Sequence, residues 1–339
     1  MTRVRVARRI AMAAAYGGGG IGLLSAGAFG LVRAEAALAR RAIGEPSGTA
    51  PDANGVYGVH QPGEALTLAL LGDSSATGLG VVVAHQTPGA MLAAGLAELS
   101  DRPVRLVCTA TVGAQSSDLV RQAGEVEGAR PDVAVIMIGA NDVTHRVKPP
   151  TAVRHLDQAV RLLLEGGAQV VVGTCPDLGT VEPVPQPLRW IARRASRALA
   201  AAQTITVVEA GGRTVSLGDI LGPEFAASPS EMFGPDRFHP SVAGYASAAA
   251  ALLPSVCAAL DVWIGEDTEA TPDLLRGEGV RPIALAAVEA ADEAGTEVAG
   301  AQVGGRDRGP RGRWALLRHR PGRSTHEVQA TAEEDAPLR

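Results

Sequence analysis

The amino-acid sequence predicts a three-layer α/β/α domain over residues 65–264, built on a five-stranded parallel sheet. Two features indicate this fold class: short apolar runs without polar alternation, and helix-like stretches between them. Such runs are typical of strands buried on both faces of a parallel sheet, and the helices supply the crossovers between strands. The five predicted strands are Leu66–Leu71, Val104–Ala110, Val133–Ile138, Gln169–Thr174 and Ile205–Val208.

The helix-like stretches alternate with these runs along the chain. A chain of 339 residues is long enough for one such domain with a tail at each end. An alanine-rich stretch at 241–260 follows the last loop and is predicted to be the final helix. The other predicted helices lie near residues 87–100, 116–128, 151–166 and 187–203.

The composition is that of a globular protein, with 46% hydrophobic and 20% charged residues. The formal net charge of -5 argues against affinity of the whole surface for nucleic acid. Cys108, Cys175 and Cys257 are widely spaced and odd in number, unlike a disulfide framework or a paired-cysteine metal site.

Residues 1–43 are predicted to be a signal anchor or a signal peptide. Four arginines precede an uncharged stretch from Ile10 to Val32. A helix of about 20 apolar residues spans a bilayer, so this stretch is long enough to anchor the chain, while its small residues also suit cleavage. Positive charge before the stretch favours the N-terminus inside, although the arginines after it weaken this bias. The chain is expected to be membrane-anchored or exported, with its domain outside the cytoplasm.

The segments on either side of the domain differ from it in composition. Residues 44–64 are rich in Gly, Pro and small polar residues and are predicted to be a linker. Residues 265–339 contain few large apolar residues, which predicts a mostly disordered tail with one helix at 282–296. Within that tail, residues 306–323 carry seven arginines and one acid, and either contact anionic lipid or phosphate or form a solvated tail.

A serine directly after the first predicted strand is the first candidate for catalysis. The strand continues into Gly72-Asp73-Ser74-Ser75, a turn of small residues that leads towards a helix. Open α/β folds bind ligands at the carboxyl edge of the sheet, where this serine lies. Small neighbours admit a substrate carbonyl, and N–H groups at a helix start stabilise an oxyanion. Taken alone, the short Gly-Asp-Ser sequence is common, and a plain turn is the simpler interpretation.

Two further strand ends carry candidate oxyanion donors. Gly113 follows the second strand, where a glycine presents its backbone N–H without an obstructing side chain. Asn141 follows the third strand in Gly139-Ala140-Asn141-Asp142, and its side-chain amide can donate to the same oxygen. Each has a structural alternative, namely a turn glycine for Gly113 and a helix cap or Asx turn for Asn141.

The last loop supplies a carboxylate and an imidazole three residues apart, Asp236 and His239. On one turn, the carboxylate can reach Nδ1 and hold the ring, which leaves Nε2 facing a serine. A solvated loop aspartate and a surface histidine are the ordinary alternative. His145, four residues after Asn141, either lines the same pocket or lies on the surface.

Together these blocks, in the order Ser, Gly, Asn, Asp-His, resemble the SGNH (GDSL-like) hydrolase family over about residues 64–260. The resemblance is particularly close to exported or membrane-linked SGNH esterases of actinobacteria. It implies Ser74 as nucleophile, His239 as general base and Asp236 as its orienting group. The Ser74 N–H, the Gly113 N–H and the Asn141 amide would form the oxyanion hole.

The resemblance also implies a flavodoxin-like sheet with strand order 2-1-3-4-5. Ser74 and Asn141 would then follow the two strands at the switch point, in agreement with the position at the sheet edge. Two positions depart from the family pattern. Ser75 stands where leucine often follows the nucleophile, and the residues before Gly113 lack the asparagine that is frequent there.

The predicted function is therefore that of a serine esterase that hydrolyses an acyl-lipid, acetyl-sugar or small ester through an acyl-enzyme. This mechanism calls for no metal and no organic cofactor. Three alternatives stay open: acyl transfer by the same triad, an envelope-binding module without turnover, and a metal-dependent phosphoesterase. The last would use Asp73, Asn141, Asp142 and His239, but the chain lacks the upstream Asp-x-His pair of such enzymes. The expected partners are an ester substrate and, through the N-terminal stretch, a membrane. The sequence does not indicate an oligomeric state.

Overall fold

The main sheet is built from β1 (Gly55–Tyr57), β2 (Leu66–Gly72), β3 (Val104–Cys108), β4 (Val133–Met137), β5 (Gln169–Gly173) and β6 (Arg213–Val215). The computed structural model describes residues 30–39, 41–43, 48–262, 302–303 and 306–307, and within these ranges the six strands form one mixed sheet. Their order across the sheet is β1-β3-β2-β4-β5-β6. Strand β1 is antiparallel to β3, and the other neighbouring pairs are parallel. A separate antiparallel pair joins β7 (Gln302–Val303) to β8 (Arg306–Asp307).

Helices connect the parallel strands and cover both faces of the sheet. Residues 30–39 and 41–42 are also helical. Short 3-10 turns lie at Ala84–Gln86, Ser116–Asp118, Glu127–Ala129 and Leu178–Thr180. The α-helices are α1 (Ser74–Thr77), α2 (Pro88–Ser100), α3 (Leu119–Val126), α4 (Ala140–Thr144), α5 (Pro149–Glu165), α6 (Leu188–Ala210), α7 (Leu217–Ile220), α8 (Gly222–Ala227), α9 (Pro229–Met232) and α10 (Val242–Ala259).

The two largest hydrophobic clusters lie one on each face of the sheet, and a smaller third cluster contains Ala152, Cys175, Leu199 and Ala200. Leu68 and Leu70 of β2 pack with α2 and α10 on one face, whereas Ala69 and Leu71 pack with α3 and α5 on the other. Successive side chains of a strand point to opposite faces, so a strand buried on both sides must be apolar throughout. The prediction of an α/β fold with a mostly parallel sheet between helices is confirmed, as are the first four strands.

The predicted count of five strands is wrong, because β1 is a sixth strand within the residues predicted to be a linker. It is three residues long and lies at the edge of the sheet, with Val56 exposed. A short, exposed edge strand leaves no apolar run in the sequence. The five parallel strands nevertheless keep the relative order 2-1-3-4-5 that the family resemblance implied.

The run Ile205–Val208, predicted to be the fifth strand, is part of the helix α6. The fifth parallel strand is instead β6. Leu199, Gln203 and Val207 are buried at intervals of four residues, which is the spacing of one helix face. A four-residue apolar run fits either structure, and packing against the sheet overrides the β preference of its branched residues. Gly211, with φ at 96°, ends the helix in the left-handed conformation.

The predictions for the chain ends fall mostly outside the described residues. The predicted hydrophobic N-terminal helix overlaps them only from residue 30 to 32, and the predicted helix at 282–296 lies outside them altogether. The β7–β8 pair falls within the tail that was predicted to be mostly disordered. Of the described helices, α10 is the one that is long and apolar enough to cross a bilayer, and most of it is buried in the core.

Gly72 brings the carboxyl ends of β2 and β4 into close contact. A Cβ atom on this residue would lie 1.9 Å from the carbonyl oxygen of Met137, and its φ of 139° is rarely adopted by other residues. The side chain of Gln122 closes both backbone groups of Gly72, accepting from its N–H at 2.8 Å and donating to its carbonyl at 2.9 Å. The chain can therefore turn out of the sheet here only with glycine at this position.

We expect Gly72→Ala to lower the free energy of unfolding by at least about 3 kcal/mol, or to prevent folding, because backbone strain and overpacking add. Gly113→Ala is the matched control: its φ is 83°, but no atom lies within 4 Å of an added Cβ. That change should cost only about 1–2 kcal/mol. Urea unfolding followed by circular dichroism measures both values, and equal losses in the two variants would contradict the close contact.

Candidate active site

Ser74 is the first residue of α1, immediately after β2 turns out of the sheet. Its neighbour Asp73 caps the helix, since the Asp73 carboxylate accepts a hydrogen bond from the Ser75 N–H at 2.9 Å. The Ser74 side chain is nearly buried. Its backbone N–H, which precedes the first helical hydrogen bond, donates to no acceptor among the described residues. This N–H is thus free to bind an oxygen of a ligand.

Ser74, His239 and Asp236 form a continuous chain of hydrogen bonds. Nε2 of His239 lies 3.0 Å from Oγ of Ser74, and Nδ1 lies 2.7 Å from Oδ2 of Asp236. A carboxylate at Nδ1 keeps the proton on that nitrogen, so Nε2 can accept the proton of the serine hydroxyl. Both Asp236 and His239 are mostly shielded from water, which strengthens the interaction. The structure therefore brings together the three side chains that the sequence singled out.

The loop from Phe233 to Pro240 holds the acid and the base in place. Phe233 and Pro240 pair as an antiparallel bridge, and the Gly234 N–H donates to the His239 carbonyl at 2.8 Å. Within the loop, Oδ1 of Asp236 accepts from the backbone N–H groups of Phe238 and His239, each at 3.0 Å. One carboxylate oxygen thus fixes the loop, while the other fixes the imidazole ring.

Asn141 lies in the first turn of α4, across the sheet edge from Ser74, and both residues line the same cavity. Its side-chain nitrogen donates to the carbonyl of Ala114 at 3.1 Å. An amide NH₂ has two hydrogens, so this bond orients the group and leaves one hydrogen for a ligand. The Asn141 side chain is therefore oriented by the loop that follows β3, and it does not cap the helix, whose N-cap residue is Gly139.

Gly113 lies in a turn in which the Ala114 N–H donates to the Thr111 carbonyl at 3.0 Å. Its φ of 83° is the conformation that the third residue of a type II turn requires, so the turn explains this glycine. The Gly113 N–H has no acceptor among the described residues, but Gly113 is not among those that line the cavity. The turn reaches the site through Ala114, whose carbonyl holds Asn141.

The cavity beside Ser74 has a volume of about 90 Å³. Ser74, Asn141 and His239 are among its polar lining residues. Most of the exposed lining is apolar, with Leu217, Phe225 and Ala248 among the residues that contribute to it, although Asp177 and Thr180 line the cavity too. A hydroxyl and an imidazole in hydrogen-bond contact thus line a small, mostly apolar space.

A buried pair of carboxylates lies beneath the serine. Burial raises the pKa of Asp73 to about 6 from its usual 3.8, hydrogen bonds from Ser75 and Gly139 oppose the rise, and the charge of Asp142 adds to it. Burial also raises the pKa of Asp142, although its carboxylate accepts from the Ser116 N–H and, at 2.9 Å, from the Ser116 hydroxyl. Burial and nearby acids raise the pKa of the Cys175 thiol well above its ordinary value, so it stays protonated and is no competing nucleophile.

Two buried glutamines are part of the site although nothing in the motifs indicated them. Gln122 closes the backbone of Gly72, as described above. Gln203 accepts from the Cys175 N–H at 2.7 Å and donates to the Ile138 carbonyl at 3.1 Å, so it joins the ends of β4 and β5. The sequence does carry one signal for them, because each glutamine lies on the apolar face of an amphipathic helix. Gln122 is next to Ala123 in α3, and Gln203 is four residues after Leu199 in α6.

Other candidates from the sequence lie apart from this arrangement. His145 is exposed, and its Nδ1 is 2.9 Å from the Asn141 carbonyl, outside the cavity beside Ser74. Within the described ranges, no group of three His, Cys, Asp or Glu residues is arranged to hold a metal ion. Asp142, which a phosphoesterase site would need as a ligand, is instead bonded to Ser116.

Sequence comparison matches residues 70–247 to the GDSL-like lipase/acylhydrolase family. A curated GDSL-like esterase from Mycobacterium tuberculosis is 43% identical over 251 residues, which is 71% of this chain and 80% of that protein. Among solved structures, the α/β hydrolase enzyme LAE5 from the metagenome of Lake Arreo, Spain, has a TM-score of 0.46 at 23% identity, covering 58% of this chain and 95% of its own. A lipase/acylhydrolase from Enterococcus faecalis has a TM-score of 0.45 at 21% identity, and the match covers 55% of this chain and 92% of that protein.

The raised pKa of Asp73 predicts a pH-dependent stability. The folded protein holds this proton more tightly than the unfolded chain, so the associated stability is present below about pH 4 and is lost as the pH rises through about 6. Asp73→Asn removes the titration and keeps an oxygen that can accept from the Ser75 N–H. Relative to wild type, this variant should gain up to about 3 kcal/mol of unfolding free energy between pH 4 and pH 7.

Urea unfolding of both proteins at a series of pH values measures this gain. A difference that stays constant across the series would show that Asp73 has the same pKa in the folded and the unfolded chain.

Proposed function

The chain belongs to the GDSL-like lipase/acylhydrolase family and is a carboxylic ester hydrolase, and we propose that Ser74 is its nucleophile, His239 its general base and Asp236 the carboxylate that orients the base. The observation that supports this assignment most directly is the pair of hydrogen bonds linking the three side chains, 2.7 Å and 3.0 Å long. A serine hydroxyl is weakly nucleophilic on its own, and an adjacent oriented base is what activates it.

In the first half of the proposed reaction, Ser74 Oγ bonds to the ester carbonyl carbon while its proton moves to Nε2 of His239. The charge that develops on the carbonyl oxygen is stabilised by the Ser74 N–H and the Asn141 amide, because both residues line the cavity whereas Gly113 does not. When the intermediate collapses, the bond to the alcohol oxygen breaks. His239 gives its proton to that oxygen, the alcohol leaves, and the acyl group stays on Ser74.

In the second half, water replaces the alcohol. His239 takes a proton from the water as its oxygen bonds to the acyl carbon, and the same donors stabilise the second oxyanion. The bond to Ser74 then breaks, His239 returns the proton to Oγ, and the carboxylic acid is released. Asp236 keeps the imidazole in one orientation throughout and compensates its charge whenever Nε2 is protonated.

The size of the cavity beside Ser74 supports a short acyl group. Its volume of about 90 Å³ is small against the roughly 300–1,000 Å³ of pockets that hold drug-sized ligands. The exposed lining is mostly apolar, with Leu217, Phe225 and Ala248 among its residues, which favours a short alkyl group over a sugar hydroxyl. Acetyl to butyryl esters are the acyl range that this space accommodates.

The triad assignment predicts that Ser74→Ala, made in the full chain, lowers kcat on p-nitrophenyl acetate by at least about 10⁴-fold, because the covalent route is lost. Ser100→Ala is the control for the loss of a serine hydroxyl. Ser100 is the last residue of α2, which leads into β3, so it lies at the amino edge of the sheet. Its hydroxyl donates a hydrogen bond to the Leu96 carbonyl. Circular dichroism checks the fold of both variants. A folded Ser74→Ala protein with more than about a tenth of wild-type activity would rule out Ser74 as the nucleophile.

The oxyanion assignment predicts a different signature for Asn141→Ala. The amide would act on the charge that appears in the transition state, so kcat should fall about 100- to 1000-fold while KM changes little. Steady-state kinetics on p-nitrophenyl acetate separates the two constants. A loss of kcat smaller than about threefold in a folded variant would mean that the Asn141 amide does not bind the oxyanion.

A further inference from the structure

A second and larger cavity, here called the apolar groove, lies beside the catalytic loop and has a volume of about 1010 Å³. One wall is the N-terminal segment, residues 30–39 and 41–43, which contributes Val32, Ala36, Ala39 and Ile43. Val32, Ala36 and Ala39 are four and three positions apart in the helical residues 30–39, so they form one apolar stripe, and Ile43 directly follows the helical residues 41–42. The groove is large enough for a long alkyl chain and apolar enough to bind one.

The opposite wall is the first half of α6, which contributes Leu188, Ile191, Ala195 and Ala198. Its small residues keep the space between the two helices open. Ile191 is part of the exposed rim, with 39% of its surface accessible. Apolar surface of this extent in a concave site is typical of a binding site.

Two polar contacts fix the N-terminal segment as a wall of the domain. The Glu35 carboxylate, 5% exposed, accepts from the Leu188 N–H at 2.9 Å at the N-terminus of α6. A negative charge at that end of a helix is stabilised by the unpaired N–H groups and the helix dipole. At the other end of the segment, the Arg237 guanidinium donates to the Ala42 carbonyl at 2.6 Å. Arg237 belongs to the loop that carries the catalytic acid and base.

The apolar groove adjoins the cavity beside Ser74, because Leu178, Val181 and Phe238 line both. The Phe238 ring packs edge-on against His239, with centroids 5.0 Å apart. On the mechanism proposed above, His239 gives its proton to the leaving alcohol, so the alcohol portion of the ester leaves on the His239 side. Because Phe238 lines both cavities next to His239, an alkyl chain that extends from that oxygen past Phe238 would enter the apolar groove.

We propose that the apolar groove binds the alkyl chain of the alcohol portion of the ester, while the short acyl group occupies the cavity beside Ser74. This assignment rests on the proposed serine esterase mechanism. The substrate class it defines is a short-acyl ester of a long-chain alcohol. Each methylene buried in the groove should raise kcat/KM by up to about fourfold until the groove is filled.

The test uses the full chain and two ester series: alkyl acetates from ethyl to dodecyl, and p-nitrophenyl esters from acetyl to dodecanoyl. Ala36→Phe places a large side chain in the groove, where there is room for it, and Ala37→Phe places the same side chain on the exposed face of the same helix. Ala198→Phe narrows the groove from the α6 side and serves as an independent second variant. Acid release in a pH-stat measures the acetates.

We expect wild-type kcat/KM to rise at least tenfold from ethyl to octyl acetate. Ala36→Phe and Ala198→Phe should each abolish that rise and leave ethyl acetate within twofold of wild type, whereas Ala37→Phe should keep the wild-type profile. An unchanged profile in both groove variants, or a loss confined to the acyl series, would overturn the groove assignment alone. Failure of the wild-type protein to hydrolyse any ester of either series would overturn the proposed function and the groove assignment with it.

Discussion

The backbone contact between β2 and β4 at Gly72 is the constraint on which the site depends. A Cβ at Gly72 would lie 1.9 Å from the Met137 carbonyl oxygen, and the Asp73 N–H donates to that same oxygen at 3.1 Å. One chain segment leaves the sheet carrying Ser74, and the other leaves it carrying Asn141. Main-chain contacts therefore fix the position of one segment relative to the other. A nucleophile and an oxyanion donor held in this way need little reorganisation when substrate binds.

Strands that separate at the edge of a sheet leave backbone groups without partners, and buried groups of this kind are costly unless bonded. Gln122 and Gln203 meet this requirement from opposite sides of the switch point. In each glutamine, the side-chain oxygen accepts a hydrogen bond and the side-chain nitrogen donates one, both to main-chain atoms at strand ends. Gln122 bonds Gly72 in this way, and Gln203 bonds Cys175 and Ile138. The cavity at the carboxyl edge thus depends on two side chains that do not line it.

The sequence predicted the features that recur along the chain or stand at strand ends. Apolar runs marked β2, β3, β4 and β5, and Ser74 and Asn141 were found because each follows such a run. Strand β1 is too short and exposed to leave a pattern, and the helical burial of α6 overrode the local preference of Ile205–Val208. Contacts between distant residues leave no local signal: the Gln122 bond to Gly72 spans 50 positions and the Glu35 bond to Leu188 spans 153.

The hydrogen bonds of the catalytic loop and of the N-terminal segment show which of the two elements holds the other in place. Asp236 and His239 are fixed by bonds inside their own loop, to the Phe238 and His239 N–H groups and across Gly234. The Arg237 side chain takes no part in those bonds and reaches out to Ala42. The bonds that hold Asp236 and His239 thus do not involve the segment, whereas the segment bonds to the loop through Ala42 and to α6 through Glu35. A groove wall attached in this way can vary in sequence and alter which ester fits without disturbing the hydrogen bonds between Ser74, His239 and Asp236.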